Sequence, residues 1–387
     1  MLNYEFPPIG GGTGVACQHL LRELARDPDV SVDLVTSGVG ASRVTESLGS
    51  RITLHRLPVA KRDRQYWRSA EIARWTLRAI VFARRLARTQ RYDLCHAWGG
   101  WPSGIPAFLL RRRLPYVVAL RGSDVPGYNQ RLALLDAVLL RHVSRRIWKA
   151  GRAVVSVSDA LCDLARTTAP ELARDVIPNG VDAERFCSGD GRDPRTVLFV
   201  GRLVERKGIE DLVCAFSDVV RTHASARLVI VGEGPERPHL EKLAGRGAAA
   251  KRIRFLGRVD HAKLPEIYRS AGIFVLPSRR EGMPNVLLEA MASGLPVVCT
   301  TAAAAGLIRD NGIVVDPHRP AAIREALERY LADPALQVRH GARSRAIALG
   351  MSWSSVATWY REVYERVTRK SRAPRERRDA PPELPGS

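Results

Sequence analysis

The chain has 387 residues, more than one ordinary domain of roughly 100 to 200 residues, so two cores of similar size are expected. Its 45% apolar and 26% charged residues are the composition of a soluble globular protein and exclude disorder for most of its length. Lys plus Arg number 61 against 40 Asp plus Glu, a formal +21, so the surface should attract an anion: nucleic acid, acidic lipid or phosphorylated small molecules.

The six cysteines form no CxxC, which excludes a zinc knuckle or disulfide framework and fits reduced thiols in the cytoplasm. No apolar run approaches the roughly 18 residues of a membrane span, and the N-terminus lacks a signal pattern, so a protein neither exported nor spanning is expected. It remains free to lie on a membrane surface.

In chain order, Met1-Leu2-Asn3-Tyr4 begins a strand that Pro7-Pro8 ends after about half the usual five or six residues. Either strand one is short or the true start lies a few residues upstream. Further strands are predicted at 30–36, 93–97, 116–120, 153–157, 196–200, 227–231, 253–255, 273–276 and 296–299, with helices between them, one over 15–26. This alternation makes parallel sheets. It breaks over 182–195, where Gly189, Gly191 and Pro194 stand among charges without apolar periodicity. The reading is an N-terminal Rossmann-like domain over 1–181, a linker over 182–195 and a second such domain over 196–350. A helix over 351–370, expected to return to the N-terminal domain, and a proline-rich disordered tail over 371–387 follow. Doubly wound sheets bind ligands beyond the carboxyl ends of their strands, so two of them imply a cleft.

Gly10-Gly11-Gly12-Thr13-Gly14 lies between the first strand and a helix, as either a flexible tight turn or a phosphate contact through backbone N–H groups. As a dinucleotide fingerprint it lacks the third glycine, and so does Gly232-x-Gly234, which argues against a nicotinamide-dependent enzyme. In 201–208, Arg202 and Lys207 occupy a strand-to-helix loop where a guanidinium fork and an ammonium can converge on one anion, unless both are merely solvated. The densest pattern runs over 281–296. The small residues of this segment bring backbone N–H groups close to a ligand. Glu281 precedes a helix that starts near Asn285, and Glu289 lies one turn inside it. The two carboxylates suit acceptance of sugar or ribose hydroxyls from different depths.

These residues, with Asn3-Tyr4-Glu5-Phe6-Pro7-Pro8, Arg121-Gly122-Ser123-Asp124, Ile177-Pro178-Asn179-Gly180-Val181 and Val231-Gly232-Glu233-Gly234-Pro235, resemble the family-4 retaining glycosyltransferases of the GT-B fold, from Asn3 to about Arg369. The resemblance implies two doubly wound Rossmann-like domains facing each other across a cleft. It implies that Arg202 and Lys207 hold a donor diphosphate, that Glu281 with Gly282, Met283, Pro284 and Asn285 holds the transferred sugar, and that Glu289 binds the ribose. Val259 would touch the base, and Gly10, Gly11 and Gly12 would approach the diphosphate. Retention would proceed by a front-face route without a protein nucleophile, and neither metal nor cofactor is expected. Asp27-Pro28-Asp29 has the metal-binding spacing of another glycosyltransferase fold but falls in a helix-to-strand turn.

Two departures touch the acceptor side. Many relatives carry His-x-His where this chain has His96-Ala97-Trp98, so His96 is either catalytic or structural, and a His often precedes Gly-Ser-Asp where this chain has Arg121. Arg121 and Asp124 are candidates to face the acceptor or the diphosphate.

Residues 61–91 carry ten Lys or Arg against two acids on one long predicted helix. Tyr66, Ala70, Ala73, Leu77, Ile80 and Val81 are read as its core stripe, with Arg74, Arg78 and Arg85 beside Trp67 and Phe82 on a neighbouring face. This face suits an anionic membrane surface, the alternative being a solvated helix. Nucleic acid finds no recognition motif. The expected protein is a cytoplasmic hexosyltransferase, peripheral on the membrane's cytoplasmic face. It would move a UDP- or GDP-linked sugar to a membrane-linked or polysaccharide acceptor in cell-surface glycan synthesis. The alternative is a GT-B relative that binds nucleotide or glycan without turnover.

Overall fold

The computed structural model describes residues 1–61, 63, 67–129, 134 and 136–372. The chain divides into two units, Met1–Pro178 with the residues from Val356 on, and Asn179–Ser355. The first contains α1 (Gly12–Leu24), β1 (Val32–Gly38), β2 (Val44–Ser47), β3 (Ile52–Pro58), α2 (Ser69–Thr89), β4 (Cys95–Trp98), α3 (Gly104–Leu110), β5 (Tyr116–Leu120), α4 (Arg141–Ala150), β6 (Ala153–Ser156), α5 (Asp159–Arg166) and β7 (Asp175–Val176).

Its strands run β2-β3-β1 and β4-β5-β6-β7. Leu2 joins the two sets by parallel bridges to Val35 and Ala97. Leu2 N donates to His96 O and Trp98 N to Leu2 O, both at 2.8 Å, while Val35 N donates to Met1 O at 2.9 Å. The short first strand is therefore central, hydrogen-bonded on both edges. The sequence reading misses β2, exposed at every residue, and β3, whose apolar positions are interrupted by His55, Arg56 and Pro58. The Asp27 to Asp29 segment is a turn, with Asp29 N donating to Asp27 Oδ1 and Arg361 pairing with Asp27 Oδ2 at 2.7 Å.

The core stripe of α2 differs from the one expected. Its buried residues are Glu71, Trp75, Ala79 and Ala83, whereas Ala70 and Ala73 are exposed, Leu77 is 67% exposed and Val81 is 71% exposed. Tyr66 lies outside the described residues. The cause is Glu71, which a charge-outward reading places in solvent. Here its carboxylate accepts from Arg68 N (3.0 Å) and pairs with Lys61 (2.7 Å), whose side chain is fully buried. A paired charge can be buried where an isolated one cannot, and the helix turns Trp75 inward.

The second unit contains β8 (Thr196–Val200), α6 (Ile209–Thr222), β9 (Arg227–Val231), α7 (Arg237–Ala244), β10 (Ile253–Gly257), α8 (Leu264–Ser270), β11 (Ile273–Leu276), α9 (Asn285–Ala292), β12 (Val297–Thr300), β13 (Gly312–Val315), α10 (Pro320–Ala332) and α11 (Pro334–Leu349). Its six parallel strands run β10-β9-β8-β11-β12-β13. Chain progression reverses between β8 and β11, which makes that junction the topological switch point where doubly wound sheets bind ligands. β13, a short edge strand, is absent from the sequence reading.

The division falls at Pro178/Asn179, ahead of the 182–195 linker expected from composition. Residues 179–195 are tied to the second unit by polar bonds that composition does not reveal. Asn179 Nδ2 donates to Asn285 Oδ1 (2.6 Å), Val181 N to Met351 O (2.8 Å), and Arg192 to Gly294 O and Ser293 O (2.6 and 2.7 Å). The last helix, α12 (Trp353–Arg372), belongs from Val356 on to the first unit, where Val356, Tyr360, Val363 and Val367 are buried at helical spacing. It includes residues 371 and 372 of the expected tail, and 373–387 lie outside the described residues.

Candidate functional site

Three strands of the second unit deliver the candidate donor residues at their carboxyl ends: Arg202 and Lys207 after β8, Val259 and His261 after β10, and Glu281 to Asn285 after β11, with β9 between β8 and β10. Gly208 shapes the turn at Lys207. Its φ is +64°, and a Cβ would lie 2.2 Å from Pro277 O, so only glycine lets this turn sit against the end of β11. Gly232 serves the neighbouring loop likewise, where a Cβ would meet Gly201 O at 1.8 Å. It is a packing glycine and not part of a dinucleotide fingerprint.

Lys207 Nζ and Glu281 Oε1 are 2.5 Å apart, and Arg206 Nη1 is 3.6 Å from Glu281 Oε2. The Lys207 and Glu281 side chains are buried, at 9% and 8% exposure. Burial pushes the Glu281 carboxyl up, but the charges of Lys207 and Arg206 and the hydrogen bond from Lys207 outweigh it and leave it below the usual glutamate value. Burial lowers the Lys207 ammonium; Glu281 partly restores it, and Arg206 and Arg202 lower it again. Half-buried Arg202 is thus close enough for its charge to act on Lys207.

Gly282, Met283 and Pro284 are buried, and Asn285 opens α9, held by Asn179. One turn inside, Glu289 lies with Oε1 3.0 Å from His261 Nε2 and Oε2 3.0 Å from the Tyr268 hydroxyl. Val259 is half-buried, two residues past the end of β10. Sequence reasoning did not single out His261 or Tyr268, because neither belongs to a motif and their contacts with Glu289 span 28 and 21 residues.

In the first unit α1 starts at Gly12, earlier than the expected 15, with Gly11 and Gly12 exposed at its N-terminus. Gly10 has φ +94° and packs against Glu5. His96 is buried. Its Nδ1 is 2.8 Å from the Tyr364 hydroxyl of α12, and Nε2 has no partner among the described residues. Burial first, then the charges of the N-terminus and Arg121, hold His96 well below its usual value, so it is a neutral imidazole. The Arg121 guanidinium lies over Trp98 and also bonds Tyr360. Asp124 is buried and accepts from Gly100 N (2.6 Å), Gly122 N (2.7 Å) and Arg121 N (2.9 Å). Its oxygens hold the 99–124 backbone together.

Comparison with known proteins adds to this geometry. The model described as "Glycosyltransferase Family 4" matches residues 10–185, and that described as "Glycosyl transferases group 1" matches 194–333; together they span most of the chain. The glycogen synthase of Mycobacterium tuberculosis is 28% identical over 97% of this chain and 96% of its own length. The phosphatidyl-myo-inositol mannosyltransferase of the same organism is 39% identical over 54% of this chain and 59% of its own. Among solved structures, the sucrose-phosphate synthase of Thermosynechococcus elongatus superposes with a TM-score of 0.81 at 23% identity, covering 94% of this chain and 97% of that one. The Anabaena protein HepE, in complex with UDP and glucose, gives 0.73 at 17% identity, covering 94% and 98%. At such identities the structural likeness speaks for the fold.

Proposed function

As the chain belongs to the family-4, group 1 glycosyltransferases of the GT-B fold, we propose that it moves a hexose from a UDP- or GDP-linked donor to a membrane-linked or polysaccharide acceptor, with retention of configuration. The observation that carries this reading is the buried Lys207–Glu281 pair, beside Arg202, at the switch point of the second sheet. Without ligand, the pair keeps both charges compensated. With a donor bound, Lys207 and Arg202 meet the diphosphate, and Glu281 is released to accept hydroxyls of the sugar. As the bond from the anomeric carbon to the diphosphate oxygen breaks, charge grows on that oxygen, and the two cations stabilise it. The same oxygen takes the proton from the acceptor hydroxyl that forms the new bond on the same face. The chain then needs neither nucleophile nor metal.

Similarity to HepE, whose complex contains UDP and glucose, and to a relative named for phosphatidyl-myo-inositol supports a nucleotide-sugar donor and a lipid acceptor. Among the described residues no helix is long and apolar enough to cross a membrane. Helix α2 offers a peripheral contact instead. Leu77 and Val81 stand out of it next to Arg78 and Arg85, and with Leu57 and Phe82 they line a groove of about 390 Å³. An apolar ridge among guanidinium groups suits an anionic lipid surface on the cytoplasmic face.

The deciding experiment is a thermal-shift screen against UDP, GDP, ADP and NAD, because a ligand selective for the folded state stabilises by mass action. One diphosphate should raise the Tm of the wild type and not of Lys207→Ala. A shift that survives Lys207→Ala, or a shift with NAD alone, overturns the donor assignment.

A further inference from the structure

Glu289 has two fixed partners inside its own unit. Oε2 accepts from Tyr268 at 3.0 Å, and burial, with the nearby Glu289 charge, holds that phenol well above its usual value, so it remains a donor. Oε1 faces His261 Nε2 at 3.0 Å. The His261 side chain is 39% exposed and that of Glu289 10%, so the imidazole is the member of the group nearer to solvent. It is braced from behind: Phe186 meets its ring edge-on at 5.5 Å, and Arg185 Nη2 donates to His261 O at 2.6 Å. Phe186 also packs edge-on against Tyr268 at 5.7 Å. The segment that reads as a linker in the sequence thus forms a support under both partners of Glu289.

A carboxylate offers about four lone-pair sites. Tyr268 and His261 take one on each oxygen, which leaves about two, the number that the vicinal diol of a ribose donates to. We propose that His261 is a positioning residue for ribose recognition. By holding Oε1 while Tyr268 holds Oε2, it fixes the Glu289 carboxylate with its free lone pairs presented to the 2′- and 3′-hydroxyls of a nucleoside diphosphate. This inference rests on the reading of Glu289 as the ribose-binding residue. Its consequence is that discrimination between ribo- and 2′-deoxyribonucleotides depends on a residue that need not touch the sugar.

The test measures Kd by calorimetry for UDP, GDP and their 2′-deoxy forms with the wild type, His261→Ala, His261→Gln and Glu289→Ala. The ribo form that binds the wild type should be preferred over its 2′-deoxy form by on the order of tenfold, the worth of one hydrogen bond to a charged group. Glu289→Ala should abolish that preference. His261→Ala should cut it several-fold, weakening the ribo form, which uses both hydroxyls, more than the 2′-deoxy form, which keeps only the 3′-hydroxyl, and His261→Gln, whose amide still donates, should restore most of it. A merely structural role weakens both nucleotides equally and leaves their ratio intact, and that outcome in His261→Ala overturns the inference while Glu289→Ala still supports the ribose reading. A preference that persists in Glu289→Ala overturns the ribose reading itself, and the inference falls with it.

Discussion

The guanidinium of Arg121 lies 4.2 Å from the ring centroid of Trp98. These are the two positions at which the sequence reading places a departure from the family pattern, and they meet in space. Tyr360 of α12 completes the cluster, 5.6 Å from Trp98 and 5.1 Å from His96. The indole also donates to Thr13 O at 3.0 Å, which ties the end of β4 to the first turn of α1 beside the glycine loop. One aromatic platform thus holds a cation, a histidine and a loop that sequence reading treats as separate features.

The stack predicts coupling. Trp98→Ala and Arg121→Ala should destabilise the protein non-additively, with an interaction energy of about 0.5–2 kcal/mol for a desolvated cation–π pair. Denaturant unfolding of both single variants and the double variant measures it, and additive losses would contradict the stack.

Arg202→Ala and Lys207→Ala should each lower kcat by on the order of 10²-fold or more, as loss of comparable charge-stabilising donors does. Lys207→Ala should also cost about 3–5 kcal/mol of stability, because it leaves the buried Glu281 carboxylate without its main partner. Pairing Lys207→Met with Glu281→Gln should recover much of that stability and none of the turnover. Unfolding curves and steady-state rates separate the two effects, and near-wild-type kcat in both single variants would remove the phosphate assignment.

The pH profile follows from the same pair. Lys207 is held below the ordinary lysine value, so its charge, and with it activity, should be lost on the alkaline side earlier than for an exposed lysine. A guanidinium stays charged at that pH, so Lys207→Arg, where active, should move the alkaline limb upward. Glu281 is depressed, so its contribution to stability is complete above the unfolded value of about 4.3 and disappears only as pH falls through its lower folded value. An alkaline limb unmoved by Lys207→Arg would assign it to another group.

Asp124 satisfies three backbone N–H groups, from Gly100, Arg121 and Gly122. Each one orphaned in a buried site costs about 1–3 kcal/mol, so Asp124→Ala should lower the Tm steeply, whereas Asp124→Asn, which keeps one acceptor oxygen, should lose less. Equal Tm values for both variants would show that the clamp carries no stability.

Dialysis against a chelator should leave turnover unchanged, because Arg202 and Lys207 are proposed to supply the charge a metal would otherwise bring. Activity lost on chelation and restored by a divalent cation would refute that part of the mechanism.

The α/β class and the strands of both sheets are legible in the sequence wherever apolar runs are continuous, as at Val197-Leu198-Phe199-Val200. The loops that carry Arg202, Lys207 and Glu281 and the helix that carries Glu289 are equally legible there, because turn glycines and helix starts are local signals. Which face of α2 is buried emerges only from the three-dimensional packing, since the pairing of Glu71 with Lys61 hides a charge that periodicity places in solvent. It alone tied residues 179–195 to the second unit, through hydrogen bonds across more than a hundred residues such as Asn179 to Asn285. It alone brought His261 and Tyr268 to Glu289, and Tyr360 to Arg121. Contacts of that span follow from how strands are ordered in a sheet and where a helix packs, and these depend on the whole chain at once.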